Sequence, residues 1–149
     1  MRPLDLRDEA LAARLLAMQQ EAYAIEAAMI GLWEIPPLTE SLAELRASHE
    51  HFTGYFVGEV LAGAVATERA GDVVEVSRLI VLPAFFRRGI GRALLAHVVA
   101  ANPDARRLRV ATGTLNAPAV ALYQGFGFVE QGRREVAPGV WVTHFEKAV

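Results

Sequence analysis

The sequence predicts an α/β (α+β) fold, in which a mixed but mostly antiparallel central sheet is flanked by helices. Three observations lead to this prediction: helical periodicity at the start of the chain, strand-like runs joined by tight turns in its middle, and a later strand that feeds directly into a helix. The resulting order is β-α-α-β-β-β-α-β-α-β-β. The chain has 149 residues and 53% hydrophobic composition, so we expect a single domain over residues 1–149.

Two helices are predicted in the first third of the chain. Apolar residues recur at helical spacing from position 8 to position 30, and Gly31 offers a stop. The prolines at positions 36 and 37 then break the helical pattern and predict a loop. Ser41 and Glu44 have the spacing of a capping box, which predicts a short second helix that ends near His49.

The remainder of the chain supplies most of the predicted sheet. Antiparallel strands are predicted at residues 52–57, 60–68 and 73–82, because these runs are separated by glycine turns and end at a proline. A third helix follows Gly91 and stops at Asn102 and Pro103, and residues 108–112 form the next strand. A short helix at residues 116–124 and closing strands at residues 126–133 and 140–145 complete the prediction.

Composition and charge exclude several classes of function. Fifteen Lys and Arg against seventeen Asp and Glu give a net charge of -2, which gives no reason to expect a nucleic-acid partner. The absence of cysteine excludes disulfides, thiolate metal ligands and a cysteine nucleophile. The longest apolar runs fall far short of the roughly 20 residues that span a bilayer, and the N-terminus lacks the apolar core of a signal peptide. We therefore expect a cytoplasmic protein with no membrane partner.

The histidines do not predict a metal site. His49 and His51 form the only close pair, while His97 and His144 are isolated, so no zinc-type spacing exists. We expect the pair to be exposed polar residues, and we predict no metal cofactor.

The most informative segment runs from residue 79 to residue 95, where a strand feeds a glycine-bearing turn that opens a helix. The first amides of a helix have no helical partner, and a glycine without a β-carbon lets a ligand approach them. The helix dipole and the nearby arginines add positive charge suited to a diphosphate. The segment therefore predicts an anion site that comprises Arg87, Arg88, Gly89, Ile90, Gly91 and Arg92.

A purely structural interpretation of this segment is also open, in which Gly89 and Gly91 ease a turn and the arginines are solvated surface. The segment does not match the Walker A pattern, because no Gly-Lys-Ser/Thr follows, and it lacks the three-glycine dinucleotide fingerprint. Nucleotide hydrolysis is therefore not favoured.

Two segments resemble motifs of the GNAT superfamily of acyl-CoA N-acyltransferases. The run Phe86-Arg87-Arg88-Gly89-Ile90-Gly91 is similar to the signature Gln/Arg-x-x-Gly-x-Gly/Ala, although Phe86 stands where the family usually has Gln or Arg and Arg87 occupies a frequent glycine position. The segment from Asn116 to Phe128 is similar to the family's Asn-x-x-Ala-x-x-Leu-Tyr-x-x-x-Gly-Phe element and lies at the expected distance downstream. The predicted elements match the GNAT fold over nearly the whole chain.

The resemblance implies that acetyl-CoA is the cosubstrate. It also implies that the strand ending at Leu82 splays from the strand at residues 108–112, and that the pantetheine arm lies in the gap. Backbone groups of Leu79, Ile80 and Val81 would then bond the arm much as an added strand would. Asn116 would hydrogen-bond the arm or cap the following helix, and both roles are compatible.

Two catalytic residues are implied as well. Tyr123 would donate a proton to the departing CoA thiolate, although it also fits an ordinary buried aromatic residue. The acceptor amine must lose a proton before attack, and Glu75 is the expected base because it resembles a strand-borne glutamate of some relatives. Glu75 shares a face with Ser77 if the pleat is regular. The alternative is that its carboxylate faces solvent or pairs with Arg78 or Arg109.

The loop between the first two helices lies where the family usually builds the acceptor site. Trp33 would wall a pocket and Glu34 would attract a cationic amine, or Trp33 and Ile35 would cap the core. The implied reaction is direct transfer of an acetyl group to a primary amine of a small molecule or peptide. A non-catalytic acyl-CoA-binding or sensor domain and transfer of a bulkier acyl group stay open as alternatives. Many relatives dimerise, so the resemblance also points to a homodimer.

Overall fold

The computed structural model of the chain describes residues 1–30 and 40–149. In these ranges the helices are α1 (Glu9–Ile30), α2 (Leu42–Arg46), α3 (Ile90–Ala101) and α4 (Ala117–Phe126), and one turn of 3-10 helix spans Pro83–Phe85. The strands are β1 (Arg2–Pro3), β2 (His51–Val57), β3 (Val60–Ala70), β4 (Val73–Val81), β5 (Arg107–Gly113), β6 (Val129–Ala137) and β7 (Val140–Ala148). None of the helices in the described ranges is long and apolar enough to cross a membrane.

The strands of the described residues form one mixed sheet in the order β1-β2-β3-β4-β5-β7-β6. Strands β4 and β5 are parallel, and every other neighbouring pair is antiparallel. The parallel pair is the one whose strands are joined by α3, as a crossover connection requires. The predicted mixed and mostly antiparallel sheet is confirmed.

Helices cover both faces of the sheet and bury a core on each. On one face, α3 contributes Leu94 and α4 contributes Tyr123 to a cluster of buried side chains. On the other face, α1 contributes Leu15 to a second cluster. Strand β4 supplies Val76 to the first core and Ile80 to the second, so it is held from both sides.

The two central strands pair over only the first part of their length. The parallel register of β4 and β5 ends with Val76 opposite Val110, although β4 continues to Val81 and β5 to Gly113. The predicted splay of the central strands is therefore confirmed. A gap between strand ends leaves backbone amides and carbonyls without a neighbouring strand.

The observed ends of two helices differ from the ends predicted from the sequence. The capping box of α2 is confirmed, since Ser41 Oγ accepts from the Glu44 amide at 3.1 Å and Glu44 Oε1 accepts from the Ser41 amide at 3.0 Å. The helix nevertheless ends at Arg46 rather than near residue 49. The predicted start of the strand at residue 126 is wrong, because α4 continues through Phe126 and ends on Gly127, whose φ of 105° suits glycine.

Candidate functional site

The turn before α3 presents a row of unpaired backbone amides. Arg87 has a φ of 63° and Gly89 a φ of 75°, so the chain enters the left-handed region twice before α3 begins at Ile90. No side chain caps this helix end, and within the described residues no acceptor is found for the amides from Arg87 to Arg92. Successive amides in such a turn, at the positive end of a 12-residue helix, form a concavity that can bind an anion.

Glycine is favoured at the two positions Gly89 and Gly91 for different reasons. A β-carbon at Gly89 would meet no atom within 4 Å, so the space outside this residue is open and its positive φ alone favours glycine. A β-carbon at Gly91 would lie 2.9 Å from Leu122 Cδ2, so this glycine allows α4 to pack closely against α3. The argument from close ligand approach thus applies at Gly89, while Gly91 also serves helix packing.

Three arginines surround the turn and have no carboxylate partner among the described residues. Arg87, Arg88 and Arg92 are exposed, and none of them takes part in an ion pair there. The Arg88 guanidinium lies 5.2 Å from the centroid of the Phe85 ring. Phe86 is 45% exposed and brings no charge. The positive charge beside the turn therefore comes from its arginine neighbours.

The gap between β4 and β5 exposes backbone groups of Leu79 and Val81. The Leu82 amide donates to the Ala62 carbonyl on β3 at 2.8 Å. Because amide directions alternate along a strand, the amides of Leu79 and Val81 point away from β3 and toward the gap. Ile80 has the opposite phase, and its side chain is buried in the core beneath α1.

Tyr123 on α4 has a packed ring and an accessible hydroxyl. The residue is 5% exposed, and its ring meets Phe128 edge-on with the centroids 5.6 Å apart. The hydroxyl has no hydrogen-bond partner among the described residues, yet it is not a buried unsatisfied atom, so it reaches accessible space. Burial raises the pKa of Tyr123, and the nearby carboxylate of Glu26 raises it further. The phenol is therefore protonated at neutral pH, as a proton donor must be.

Asn116 caps α4 at the end of the loop that follows β5. Its Oδ1 accepts a hydrogen bond from the Ala119 amide at 3.3 Å, and Pro118 lies in the first turn of the helix. The capping role expected from the sequence is present. The Asn116 side chain also lies near the carboxylate of Glu26 on α1.

Glu26 on α1 is a functional candidate that the sequence analysis did not single out. Its side chain is partly buried, and its carboxylate interacts with the side chains of Asn116 and Thr112 and with the backbone of Gly113. These three groups belong to the end of β5 and the loop after it, so Glu26 reaches one wall of the gap. Burial raises the pKa of Glu26, and the polar contacts oppose this rise without cancelling it.

Tyr23 joins Glu26 and Tyr123 into one cluster of ionisable side chains. Burial raises the pKa of Tyr23, and the negative charges of Glu26 and Glu50 raise it further, while Arg78 acts in the opposite direction. The helices that supply these residues pack on opposite faces of the sheet. Only the fold brings positions 23 and 26 next to position 123, which is why a local reading of α1 as a core helix missed them.

Glu75 lies in the paired part of β4, before the gap. It stands opposite Arg109 in the parallel register, and its side chain is exposed. Arg109 pairs instead with Glu146 at 3.2 Å. The pleat is not regular here, since a β-bulge leaves Ser77 without a partner on β3. Glu75 is not among the groups that act on Tyr123, and its role as the base stays a prediction.

Arg78 holds two carboxylates on the α1 face of the sheet. Its guanidinium donates two hydrogen bonds to the Glu40 carboxylate, at 2.6 and 2.9 Å. It donates three more to the Glu50 carboxylate, at 2.7, 3.0 and 3.1 Å. It also donates to Gln19 Oε1 at 2.7 Å. The side chains of Arg78, Glu40 and Glu50 are 9%, 14% and 10% exposed. The cluster keeps one net negative charge and ties β4 to the residues that precede α2 and β2.

The histidine pair lies at the other end of α3 from the amide-bearing turn. His49 and His51 line a shallow surface depression of about 600 Å³ with the ends of β3 and α3. Within residues 1–30 and 40–149, no group of three or more potential metal ligands is found. Trp33 and Glu34 lie outside the described residues, so their expected contact with the acceptor stays a prediction.

The sequence matches a protein-family model and a curated relative. A family model described as an acetyltransferase (GNAT) domain matches residues 33–149. The UPF0157 protein YqkA of Bacillus subtilis (strain 168) is 38% identical over 142 residues, which cover 95% of this chain and 41% of that protein. The chain therefore spans about two fifths of the length of this relative.

Solved structures share the fold of the chain. The ribosomal-protein-S18-alanine N-acetyltransferase from Escherichia coli superposes with a TM-score of 0.75 at 19% identity, over 95% of this chain and 90% of that one. The PaiA N-acetyltransferase from Thermoplasma acidophilum, in complex with coenzyme A, gives a TM-score of 0.75 at 18% identity, over 99% of this chain and 97% of that one. At such identities the likeness establishes the fold, and the predicted fold class is confirmed.

Proposed function

Because the chain belongs to the GNAT family of acetyltransferases, we propose that it transfers an acetyl group from acetyl-CoA to the primary amine of a small molecule or peptide. The family-model match confirms the family and the enzyme class predicted from the sequence, an acyl-CoA-dependent acetyltransferase. The acceptor, and the direct attack of its amine on the thioester, belong to the proposal.

The row of unpaired amides before α3 is the observation that carries this proposal. A diphosphate needs several donors that converge on one point, and the peptide N–H groups from Arg87 to Arg92 supply them without a competing acceptor in the described structure. The three arginines add charge, and no carboxylate of the described residues neutralises it. Because the donors are backbone groups, the departures from the family signature at Phe86 and Arg87 leave them in place.

The gap between β4 and β5 suits the pantetheine arm of the same molecule. The backbone groups of Leu79 and Val81 face this gap, and they would pair with the two amides of the arm as an added strand does. Ile80 would support the strand from the core side, and Asn116 lies at the opposite wall as a further contact. The thioester would then lie beyond these contacts, close to Tyr123.

The proposed chemistry is direct transfer. The acceptor nitrogen attacks the thioester carbon, a C–N bond forms, and the C–S bond breaks to release the CoA thiolate. The Val81 amide would hold the oxygen of the tetrahedral intermediate, and the Tyr123 hydroxyl would protonate the thiolate. No covalent acyl-enzyme is needed, in keeping with a chain that has no cysteine.

Several parts of the sequence-based hypothesis remain predictions within this proposal. They are Glu75 as the base, Trp33 and Glu34 as acceptor contacts, a cytoplasmic location, a homodimer, and a single domain over residues 1–149. Competition between acyl-CoA thioesters of different length would test the preference for acetyl over a bulkier group.

The deciding experiment measures CoA release from acetyl-CoA with a panel of primary amines and short peptides. A thiol reagent detects the released CoA without background from the protein, because the chain has no cysteine. Saturable release that depends on the amine supports the transferase. Binding of acetyl-CoA without release on any acceptor supports the sensor, and failure to bind acetyl-CoA contradicts both functions.

A further inference from the structure

The extra residue of the β4 bulge lies where the two central strands separate. Strand β4 pairs with β5 only as far as Val76. On its other side, Ser77 has no partner on β3, and Arg78 pairs again with Ala66. A bulge bends its strand and shifts the alternation of the residues that follow it. The bulge at Ser77 therefore directly precedes the gap and sets the direction of the groups along it.

The bulge decides which backbone amides face the gap. The Val76 side chain lies in the core that α3 covers, whereas Arg78 and Ile80 lie on the α1 face of the sheet. In a regular strand these three side chains would share one face. The bulge inverts this phase, so the amides of Leu79 and Val81 point to the gap. Without the bulge, the amides of Arg78 and Ile80 would point there instead.

The Glu50 carboxylate contacts two consecutive residues of β4 at the bulge. Its Oε2 accepts a hydrogen bond from Ser77 Oγ. Its two oxygens also accept three hydrogen bonds from the Arg78 guanidinium, at 2.7, 3.0 and 3.1 Å. Consecutive side chains of a regular strand point to opposite faces, so a carboxylate on one face would meet only one of them. The double contact is therefore specific to the bulged conformation.

The charge and burial of Glu50 make this contact a strong one. The side chains of Glu50 and Arg78 are 10% and 9% exposed. Burial alone would raise the pKa of the carboxylate, but hydrogen bonds from Arg78, Ser77 and Ser48 lower this pKa below its usual range. The carboxylate is therefore ionised and accepts from all three. Loss of the bulge would carry Arg78 to the apolar core on the other face and leave Glu50 without its cation.

We propose that Glu50 is a positioning residue for the cosubstrate, which stabilises the bulge through Ser77 and Arg78. The bulge in turn orients the amides of Leu79 and Val81 toward the pantetheine arm. This inference rests on the proposed function and deepens it by assigning the residue that prepares the gap. The contacts of Glu50 lie on the α1 face of β4, so its effect on CoA passes through the backbone of the strand.

The test compares two serines that donate to the same carboxylate. Ser77 Oγ donates to Glu50 Oε2, and Ser48 Oγ donates to Glu50 Oε1 at 2.8 Å. Each serine also has one backbone contact, since Ser77 Oγ lies 3.1 Å from the Ala66 carbonyl and Ser48 Oγ accepts from the Glu50 amide at 3.1 Å. Only Ser77 belongs to β4, so Ser48→Ala is the matched control for Ser77→Ala.

The experiment uses the wild type, Ser77→Ala, Ser48→Ala and Ser77→Thr, which keeps the hydroxyl. Calorimetry gives the affinity for CoA and the fraction of the protein that binds it. Hydrogen exchange followed by amide NMR, with and without saturating CoA, gives the protection of the Leu79 and Val81 amides. No acceptor is needed for either measurement.

We expect Ser77→Ala to bind CoA roughly tenfold more weakly, the loss that corresponds to one hydrogen bond to a charged group. In the wild type, CoA should slow the exchange of the Leu79 and Val81 amides, and this protection should fall roughly tenfold in Ser77→Ala. Ser77→Thr and Ser48→Ala should keep the wild-type affinity and protection. A role in stability alone would lower the fraction that binds CoA and leave the affinity of that fraction unchanged.

The wild type separates this inference from the proposed function. The inference is overturned if Ser77→Ala binds CoA as tightly as the wild type, if Ser48→Ala loses as much affinity, or if Ser77→Thr does not restore the affinity. Each of these results, obtained with a wild type that binds CoA, would leave the proposed function standing. A wild type that does not bind CoA would contradict the proposed function, and this inference with it.

Discussion

The two halves of the site use different groups to meet a ligand. Before α3 the groups are backbone amides and exposed arginines, whereas beside α1 they are the partly or fully buried side chains of Tyr23, Glu26 and Tyr123. Backbone donors persist when side chains change, but a buried acid or phenol has no substitute. The first half should therefore respond to changes in backbone geometry, and the second to changes in side-chain chemistry.

The largest expected effect is on stability, at Arg78 in the buried cluster next to the side-chain half. Arg78→Met leaves Glu40 and Glu50, which are 14% and 10% exposed, without their cation. We expect the free energy of unfolding to fall by about 3–5 kcal/mol, as measured by urea titration. Arg7→Met removes an ion pair whose arginine is 91% exposed, and its unfolding curve should match that of the wild type. Equal curves for both variants would contradict the role given to the buried cluster.

Removal of the Tyr123 hydroxyl should change catalysis but not stability. The hydroxyl makes no hydrogen bond within the described residues, so Tyr123→Phe keeps the ring packing against Phe128. We expect kcat to fall by about 100-fold, with an unchanged unfolding curve. The control is Tyr55→Phe, which changes a tyrosine on β2 and should keep the wild-type kcat. If Tyr123→Phe also kept it, Tyr123 would be a packing residue only.

A change of backbone geometry in the turn before α3 should weaken the binding of acetyl-CoA. Gly89→Val places a branched side chain at a φ of 75°, which costs about 1–2 kcal/mol and distorts the amide row. We expect acetyl-CoA affinity, measured by calorimetry, to fall about tenfold. Gly71→Val strains a turn with a φ of 62° in equally open space and should leave that affinity unchanged. If Gly89→Val and Gly71→Val lost the same affinity, the loss would be a general effect of backbone strain, and the role given to the turn before α3 would be contradicted.

The smallest expected effect is the loss of one exposed arginine. Arg88→Gln should weaken acetyl-CoA binding by only about threefold, because an exposed charge is well screened by solvent. Affinity of the wild type should fall between about 0.05 M and 0.5 M salt, and this dependence should be weaker in Arg88→Gln. Arg134→Gln, which changes an exposed arginine on β6, should retain the full salt dependence. A loss of affinity as large as that of Gly89→Val would make Arg88 a principal anchor.

The same comparison explains which parts of the site were predictable from the sequence. The glycine turn and Tyr123 lie in contiguous segments, so their spacing indicates strand, turn and helix without knowledge of the rest of the fold. Glu26 has no such local signal. Its neighbours Thr112, Gly113 and Asn116 are distant from it in the sequence and approach it only in the folded chain. Residues that lie within one contiguous motif could be predicted, and residues that only long-range contacts bring together could not.

The environment of β4 shows the same limit. Arg78 was considered as a partner of Glu75, but it pairs with Glu40 and Glu50. These two glutamates lie before and after α2, and the sequence pattern does not indicate which way their side chains point. The bulge at Ser77 shifts the phase of the strand after Val76, and no residue pattern in the sequence marks it. Strand existence and order were predictable there, whereas the direction of each side chain was not.

Binding of CoA at the turn before α3 and in the gap is the claim on which the account depends. Titration of isotope-labelled protein with CoA, followed by two-dimensional amide NMR, tests it most directly. The account predicts that the amide signals of Gly89, Gly91, Leu79 and Val81 shift, while that of Gly132 on β6 does not. Saturating CoA that leaves these four signals unmoved, or that shifts signals only around His49 and His51, would contradict it.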